Sequence, residues 1–333
     1  MTADAYTGLQ TVTDEEVLEA AVAPVLGPLR HIEHSGGYSN KNYSITTAAN
    51  QRYSARIART NRTAASVAAE AHILNALAQF TNLPVPALVT LPQQHITING
   101  QQHFLHCFTH INGSIPCLWW QQCSPQQLQQ LFHQLALLHR AMHTIPSIGK
   151  AATDMVWYQL PDKAPAILAA TDTGRYVTAH WPAFTQAATR LQQAMQVRFP
   201  WQQARYQWIH GDIQTENVLF ENDRLTGLLD FELATWDACE KDVILAAFRT
   251  CKEGNSDAPF QYNAAALQLA IYTYRRAEKG LCDAFFTEYD TLWKPWFCLD
   301  QAMLYLRNAF DGVWQLQPGI GFLPCFHQVL QYT

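Results

Sequence analysis

Residues 208–220 (WIHGDIQTENVLF) and 225–232 (LTGLLDFE) decide the fold of this chain. Asp212 is followed five positions later by Asn217, and the apolar run 225–229, which predicts a strand, leads directly into Asp230. A carboxylate at the end of a strand is fixed on rigid backbone at the edge of a cleft. The two segments therefore predict three polar side chains held together by short strands.

The order and spacing of these three residues are those that phosphoryl transfer requires. Asp212 is the candidate catalytic base, because a carboxylate within hydrogen-bond reach can accept the proton of an attacking hydroxyl. Asn217 and Asp230 are the candidate magnesium ligands, since hard oxygen donors suit this ion. We expect His210 to hydrogen-bond backbone near Asp230 and to orient the loop. Taken alone, Asp212 could belong to a turn, Asn217 could cap a helix and Asp230 could end a strand. These explanations do not account for the spacing of the three residues.

Residues 1–109 predict a small lobe with an antiparallel sheet. Thr13 and the acidic residues after it begin a helix at 13–23. Alternating patterns predict strands near 29–34, 42–47 and 52–58, and a helix follows at 64–80. Asn99-Gly100 predicts a hairpin between two further strands, at 87–99 and 102–109.

This lobe also carries the candidate nucleotide-binding residues. The loop 35–40 (SGGYSN) lies between two predicted strands and could fold its amides over phosphates. Arg56 stands where a kinase places its phosphate-pairing Lys, and Glu70 where it places the carboxylate partner of that Lys. The alternatives are an ordinary turn for the loop, an exposed strand cation and a solvated helix residue. The candidate residues for the cofactor are Gly36, Gly37, Ser39, Asn40, Arg56 and Glu70.

Residues 110–333 predict a larger, mainly helical lobe. Ser124-Pro125, an N-cap followed by Pro at the first helical position, begins a helix that runs to about His143. Further helices are expected near 163–171 and 179–197 and across most of 240–330. The predicted fold class is α+β, with an N-terminal nucleotide-binding lobe at 1–109 and a C-terminal catalytic and substrate lobe at 110–333.

Composition excludes several classes of protein. The net charge is −5, without a block of Lys or Arg, so nucleic acid and anionic membrane surfaces are not expected partners. The eight Cys form no Cys-x-x-Cys pair, which favours a reduced, cytoplasmic compartment over a disulfide framework. The N-terminus shows no signal-peptide pattern, and no apolar run approaches the roughly 20 residues of a membrane helix.

Other groups of residues have simpler explanations than a site. The residues His103, His106, Cys107 and His110 would share a face of a helix, but their segment predicts a strand, which separates them. His139 is expected to be a hydrogen-bonded core residue. Trp293, Trp296 and Trp314 could cage a quaternary amine, although core packing is the better expectation. A last group could face a cationic acceptor or simply solvent: Asp237, Glu240, Glu253 and Asp257.

The chain resembles the aminoglycoside phosphotransferase family, which also holds choline, ethanolamine and homoserine kinases. The resemblance is carried by His210-Gly211-Asp212, by 217–220 (NVLF), by 227–234 (GLLDFELA) and by Asp242. It implies a protein-kinase-like two-lobed fold with a hinge at 106–110, ATP and magnesium as cofactors, and the hydroxyl of a small-molecule alcohol as acceptor. It also suggests that Asp242 braces the catalytic loop. Two departures are Gln214, where many relatives have His, and Arg56 in place of Lys.

The sequence leaves the acceptor open. The loop 36–43 (GGYSNKNY) favours choline, ethanolamine or another amino alcohol, whereas 235–238 (TWDA) is somewhat like the homoserine kinases, and an aminoglycoside comes third. A protein kinase is disfavoured, because no Ala-Pro-Glu segment is present and Glu232 replaces the usual Gly. The intact Asp212, Asn217 and Asp230 argue against a nucleotide-binding pseudokinase, whereas Arg56 in place of Lys is a weaker argument for one.

Overall fold

The computed structural model describes residues 13–36, 40–148, 157–254, 258–312, 316 and 322–332. The chain forms two compact units, Met1–Arg62 with Ala87–His110, and Thr63–Pro86 with Ile111–Thr333. The α+β class is confirmed, because the first unit is built on a sheet and the second on helices. The observed division of the chain differs from the expected one at Thr63–Pro86. This segment groups with the helical unit, whereas the sequence placed it in the N-terminal lobe.

The first unit is an antiparallel sheet with one helix packed on it. Strands pair in the order β1-β2-β3-β6-β4, and β5 pairs with β6. Leu18 and Val22 of α1 join a core made by inward-facing strand residues such as Ile45 and Leu105. The predicted hairpin at Asn99-Gly100 is confirmed, with φ of +51° and +76°. The elements are α1 (Asp14–Leu26), β1 (Leu29–Gly36), β2 (Lys41–Thr47), β3 (Arg52–Ile57), β4 (Leu88–Val89), β5 (His95–Ile98) and β6 (Gln101–Thr109).

The second unit is mainly helical. Its helices are α2 (Ala64–Leu77), α3 (Pro125–His143), α4 (Asp172–Arg198), α5 (Cys239–Thr250), α6 (Ala264–Ala277), α7 (Lys294–Phe310) and α8 (Phe322–Leu330). Three short antiparallel strand pairs, β7–β10, β8–β9 and β11–β12, lie among them. These strands are β7 (Tyr206–Ile209), β8 (Val218–Glu221), β9 (Arg224–Leu228), β10 (Thr235–Ala238), β11 (Lys252–Glu253) and β12 (Gln261–Tyr262).

Capping residues set the helix starts as the sequence indicated. Ser124 caps α3 in a reciprocal pair of hydrogen bonds with Gln127, and α3 ends at His143 as expected. The region 163–198 differs from the expectation of helices near 163–171 and 179–197. Only a 3-10 turn forms at Ala166–Ala170, and α4 begins at Asp172, where Thr171 caps it.

Two of the three tryptophans that were candidates for a cation cage lie in the core of the helical unit. Trp293 and Trp296 are fully buried, which excludes them from an exposed cation cage; Trp314 lies outside the described residues. His103, His106 and Cys107 lie on β6, and no group of three or more potential metal ligands occurs in the described part of the chain. All eight cysteines are free thiols. No helix in the described ranges is long and apolar enough to cross a membrane.

Candidate active site

Short strands bring Asp212, Asn217 and Asp230 together in the helical unit. Asp212 follows β7, and Asn217 immediately precedes β8, whose partner β9 leads to Asp230. The peptide N–H of Leu229 donates to the Asn217 carbonyl at 2.8 Å, which fixes the approach to Asp230. Asn217 Nδ2 donates to Asp212 Oδ2 at 2.8 Å and to the Asp212 carbonyl at the same distance.

The amide of Asn217 is oriented for a second task by these bonds. Because its nitrogen donates to Asp212, its carbonyl oxygen is the atom left to act as a ligand. An amide oxygen and the Asp230 carboxylate are hard donors of the kind that magnesium takes. The residues present therefore fit the ion that nucleotide phosphates bring with them.

His210 holds the chain on both sides of the site. The ring is fully buried; its Nε2 donates to the Leu229 carbonyl at 2.9 Å, and its Nδ1 accepts from the Asp212 N–H at 3.2 Å. Burial lowers the pKa of His210, which favours the neutral ring that this pattern requires. The expected hydrogen bond to backbone next to Asp230 is thus present.

Asp230 has a backbone conformation that L-residues rarely adopt. Its φ and ψ are +62° and +71°, in the left-handed region, and the turn Phe231–Leu233 follows it. Phe231 is buried and its ring lies 4.5 Å from the His210 ring, while the turn also contacts α2. Strained conformations of this kind persist only where surrounding contacts enforce them.

Two side chains of helix α5 form hydrogen bonds with the backbone N–H and carbonyl of Gly211. Asp242 Oδ1 accepts from the Gly211 N–H at 3.0 Å, and Asp242 Oδ2 accepts from the His210 N–H at 3.2 Å. Arg249 Nη1 donates to the Gly211 carbonyl at 3.1 Å. Gly211 has a φ of +80°, and a Cβ there would lie 2.6 Å from the Leu233 carbonyl oxygen. The contact suggested for Asp242 is therefore present.

Asp242 is in turn positioned by a buried histidine, His139. His139 Nε2 lies 2.9 Å from Asp242 Oδ2, and His139 Nδ1 lies 2.8 Å from the Tyr274 hydroxyl. Burial acts to raise the pKa of Asp242, but the hydrogen bond and the charge of His139 outweigh it and the pKa is lowered. His139 is the fully buried, hydrogen-bonded residue that the sequence predicted.

Arg249 and Asp300 adjoin the candidate site, and sequence reasoning missed both. Arg249 Nη2 donates to Asp300 Oδ2 at 2.9 Å, and Arg249 Nη1 lies 4.0 Å from Asp212 Oδ1. The Tyr158 hydroxyl also donates to Asp300. The signal available in the sequence was the seven-residue spacing from Asp242 to Arg249, which places both on one face of a helix. Nothing local pointed to Asp300.

The charges around Asp212 partly cancel. Burial raises its pKa to about 6, and the nearby carboxylates Asp230 and Asp300 act in the same direction. Arg249 and the hydrogen bond from Asn217 act against this rise. The carboxylate therefore lies in an environment that makes it a stronger proton acceptor than an exposed aspartate.

Most of the acidic residues that were candidates for binding a cationic acceptor have structural partners. Asp237 is buried and bonds to Lys241 at 2.6 Å. Glu240 is buried and accepts from the N–H groups of Arg205 and Cys282. Glu253 is exposed and accepts from Asn263, and Asp257 lies outside the described residues.

The candidate cofactor residues of the sheet unit occupy the end of β1 and the middle of β3. Gly36 ends β1 with a φ of +96°, and Asn40 accepts from the Arg59 N–H at 3.0 Å. Gly37 and Ser39 lie outside the described residues. Arg56 is 5% exposed, with its guanidinium 3.3 Å from His106 Nδ1, so it is not an exposed strand cation.

Glu70 lies on α2 in the helical unit. It is 2% exposed, which rules out the alternative of a solvated helix residue. A glutamate is rarely buried to this degree without a specific electrostatic role. Its assignment to the nucleotide site stays a prediction.

Comparison with known proteins identifies the family of this chain. The model of a family described as "Phosphotransferase enzyme family" matches residues 31–279. A homoserine kinase of Granulibacter bethesdensis is 36% identical over 74 residues, which are 22% of this chain and 23% of that protein. The matched region is thus less than a quarter of that relative.

Solved structures of kinases share the fold. A microcompartment-associated aminopropanol kinase superposes with a TM-score of 0.62 at 16% identity, covering 94% of each chain. The amicoumacin kinase hAmiN, in complex with AMP-PNP, Ca²⁺ and Ami, gives a TM-score of 0.60 at 16% identity, covering 90% of this chain and 85% of that one. The family match covers more than half of the 333 residues, and the chain therefore belongs to the aminoglycoside phosphotransferase family and has the protein-kinase-like α+β fold.

Proposed function

We propose that this protein transfers the γ-phosphoryl group of ATP to the hydroxyl of a small, amine-bearing alcohol. The observation that carries the proposal is the position of Asp212, bonded to Asn217 and adjacent to a loop that α5 holds rigidly. In the transfer, the acceptor oxygen bonds to the γ-phosphorus, the bond to the bridging oxygen breaks and ADP leaves. Asp212 orients the hydroxyl and accepts its proton.

Magnesium has a defined place in this proposal. Asn217 and Asp230 would hold the ion, which would neutralise charge on the phosphates when bound. The buried Arg56 and Glu70, together with Gly36, Gly37, Ser39 and Asn40, are proposed to bind the nucleotide. Arg56 can pair with two phosphate oxygens through its planar guanidinium, which a Lys cannot do.

An amine on the acceptor is supported by the carboxylates near Asp212. Asp300 shares Arg249 with Asp212, and Glu216 lies one residue before Asn217 and is half-buried. An amino alcohol or homoserine is favoured over an aminoglycoside, in line with the aminopropanol kinase and homoserine kinase among the similar proteins. A pseudokinase is the alternative of another class, and the complete set of Asp212, Asn217 and Asp230 argues against it.

The test is a coupled ADP-release screen over amino alcohols, choline, homoserine, sugars and aminoglycosides. We expect acceptor-dependent ADP release with magnesium and none with excess chelator. Nucleotide binding without ADP release from any acceptor would favour the pseudokinase and contradict the proposal.

A further inference from the structure

Lys252 is a buried cation that the proposed chemistry does not yet use. It is 7% exposed and begins β11, two residues after the end of α5. Its ammonium donates to the Trp119 carbonyl at 2.8 Å and lies 4.7 Å from the centre of the Trp119 ring. An ammonium has three N–H groups, so one carbonyl satisfies only part of it.

Neighbouring buried cations differ from Lys252 in having carboxylate partners. Lys241 bonds to Asp237 at 2.6 Å and Arg249 to Asp300 at 2.9 Å. Within the described ranges, Lys252 makes no ion pair, although it is about as buried as these two. A buried charge without a counter-ion is costly, so its presence calls for a compensating interaction.

Lys252 lies three residues after Arg249, whose Nη1 is 4.0 Å from Asp212 Oδ1. The pKa of Lys252 is lowered to about 8, mainly by burial and also by Arg249, whereas Asp212 and Glu216 are among the groups that oppose the shift. Lys252 and Glu216 influence each other without forming an ion pair. With Lys252 as a positive group and Glu216 as a negative group, the surroundings of Asp212 suit a zwitterionic acceptor better than one that carries only a positive charge.

We propose that Lys252 is the subsite for a carboxylate on the acceptor, so that the acceptor is a hydroxy-amino acid. This inference rests on the proposed function and narrows its acceptor class. The carboxylate supplies the missing counter-ion of Lys252 while the acceptor hydroxyl meets Asp212. A single ammonium matches a carboxylate with one charge; a phosphate dianion is more often bound by several cations or by Arg.

The test compares acceptors that differ only in the carboxylate. Each hydroxy-amino acid is paired with its decarboxylated amino alcohol: serine with ethanolamine, and homoserine and threonine with their corresponding aminopropanols. Steady-state ADP release gives kcat/KM for both members of each pair. We expect at least one pair in which the amino acid is preferred by about 10–100-fold, the range of one charge-assisted hydrogen bond.

Variants assign the preference to Lys252. Lys252→Met should reduce the ratio of amino acid to amino alcohol kcat/KM by at least about tenfold, mainly through KM for the amino acid. Lys252→Arg keeps the charge and should retain part of the preference. Lys279→Met removes an exposed lysine and should leave the ratio unchanged. Circular dichroism of each variant checks that it is folded.

The outcomes separate the inference from the proposed function. Phosphorylation of amino alcohols in preference to every paired amino acid would overturn the inference and leave the proposed function intact. An equal loss for both members of a pair in Lys252→Met would do the same, because it would indicate contact with the phosphates. Absence of ADP release from all pairs and from the wider screen would overturn both.

Discussion

At the scale of single residues, Asp212 is the side chain on which turnover should depend most. Asp212→Asn keeps the size of the side chain and removes the proton acceptor, so kcat should fall by about 10²–10⁴-fold. ATP binding should be largely retained, because Asp212 is not among the phosphate-binding candidates. ADP-release kinetics and nucleotide titration measure the two effects.

Asp162→Asn is the matched control for that substitution. Asp162 is exposed and lies in the segment before α4, so its loss should leave kcat unchanged. An undiminished rate in Asp212→Asn would remove Asp212 from the catalytic role.

Gly211 offers a second test at this scale, because its backbone is both strained and crowded. Gly211→Ala adds a Cβ 2.6 Å from the Leu233 carbonyl at a φ of +80°. Gly27→Ala is the matched control, since Gly27 has a φ of +81° with open space around it. Both should lose about 1 kcal/mol of unfolding free energy to backbone strain, and Gly211→Ala should lose a further 1–3 kcal/mol from the clash.

Denaturant unfolding of the two glycine variants separates strain from crowding. Gly211→Ala should also lower kcat, because the loop would shift relative to Asp242 and Arg249. Equal unfolding free energies for the two variants would show that the Gly211 loop can move aside.

The residues near Asp212 show how far sequence alone could lead. The contacts of His210 and Asn217 with the loop follow from short spacings, and both were predictable. Arg249 and Asp300 are 37 and 88 residues beyond Asp212 in the chain and reach it only through tertiary packing. No local pattern records such a contact, so these residues had to come from the structure.

At the scale of elements, α5 uses Asp242 and Arg249 to hold the loop that carries Asp212. Arg249→Met would leave Asp300 without its cation and Gly211 without a donor, and both groups are partly buried. We expect a loss of about 3–5 kcal/mol in unfolding free energy, the usual effect of breaking one side of a buried ion pair. Denaturant unfolding and kcat would be measured together, and kcat should fall as well.

An exposed ion pair supplies the contrast for Arg249. Arg175 pairs with Asp172 on the surface of α4, and Arg175→Met should change the unfolding free energy by less than about 1 kcal/mol. Similar losses from Arg175→Met and Arg249→Met would argue against the special position of Arg249.

Element boundaries were predictable where capping residues set them. Ser124 and Thr13 cap α3 and α1 as their sequences indicated. The acids after Asp230 were harder to interpret, because Asp237 and Glu240 look like an exposed acidic face in sequence. They are buried because Lys241 and two backbone N–H groups satisfy them, and these partners become visible only in three dimensions.

At the scale of the whole molecule, Lys252 should lower the stability of the protein. Its pKa is about 8 in the folded chain against an ordinary value of 10.5, so the charged form is disfavoured on folding. The groups that face it are Arg249 of α5, Cys325 of α8, and Asp212 and Glu216 of the catalytic loop. Lys252→Met should therefore raise the unfolding free energy at pH 7 by about 1–3 kcal/mol.

The pH dependence of this gain has a definite sign. Below pH 8, Lys252 is charged in both states and its burial cost is fully present. Between pH 8 and 10.5 the unfolded chain binds more protons than the folded one, so the wild type gains stability and the difference from Lys252→Met shrinks. Denaturant unfolding at several pH values measures this. Destabilisation by Lys252→Met at pH 7 would indicate that Lys252 mainly anchors the segment containing Trp119.

Nucleotide binding should also be visible in global stability. ATP at about 100 times its Kd should raise the unfolding free energy by about 2.7 kcal/mol and the Tm by several degrees. Magnesium should contribute to that shift, and Asp230→Asn should remove the magnesium-dependent part. A shift that is equal with magnesium and with chelator would contradict the assignment of Asn217 and Asp230.

All twelve residues of α5 are buried, including four charged ones. A helix without a solvent face has no position at which evolution can substitute residues freely, because each change meets packed atoms or a paired charge. We therefore expect relatives with other acceptors to differ from this chain mainly in the segments around α5, such as the one containing Trp119, the start of β11 and α7. On this argument α5 tolerates few substitutions, and acceptor specificity changes through the segments that pack around it.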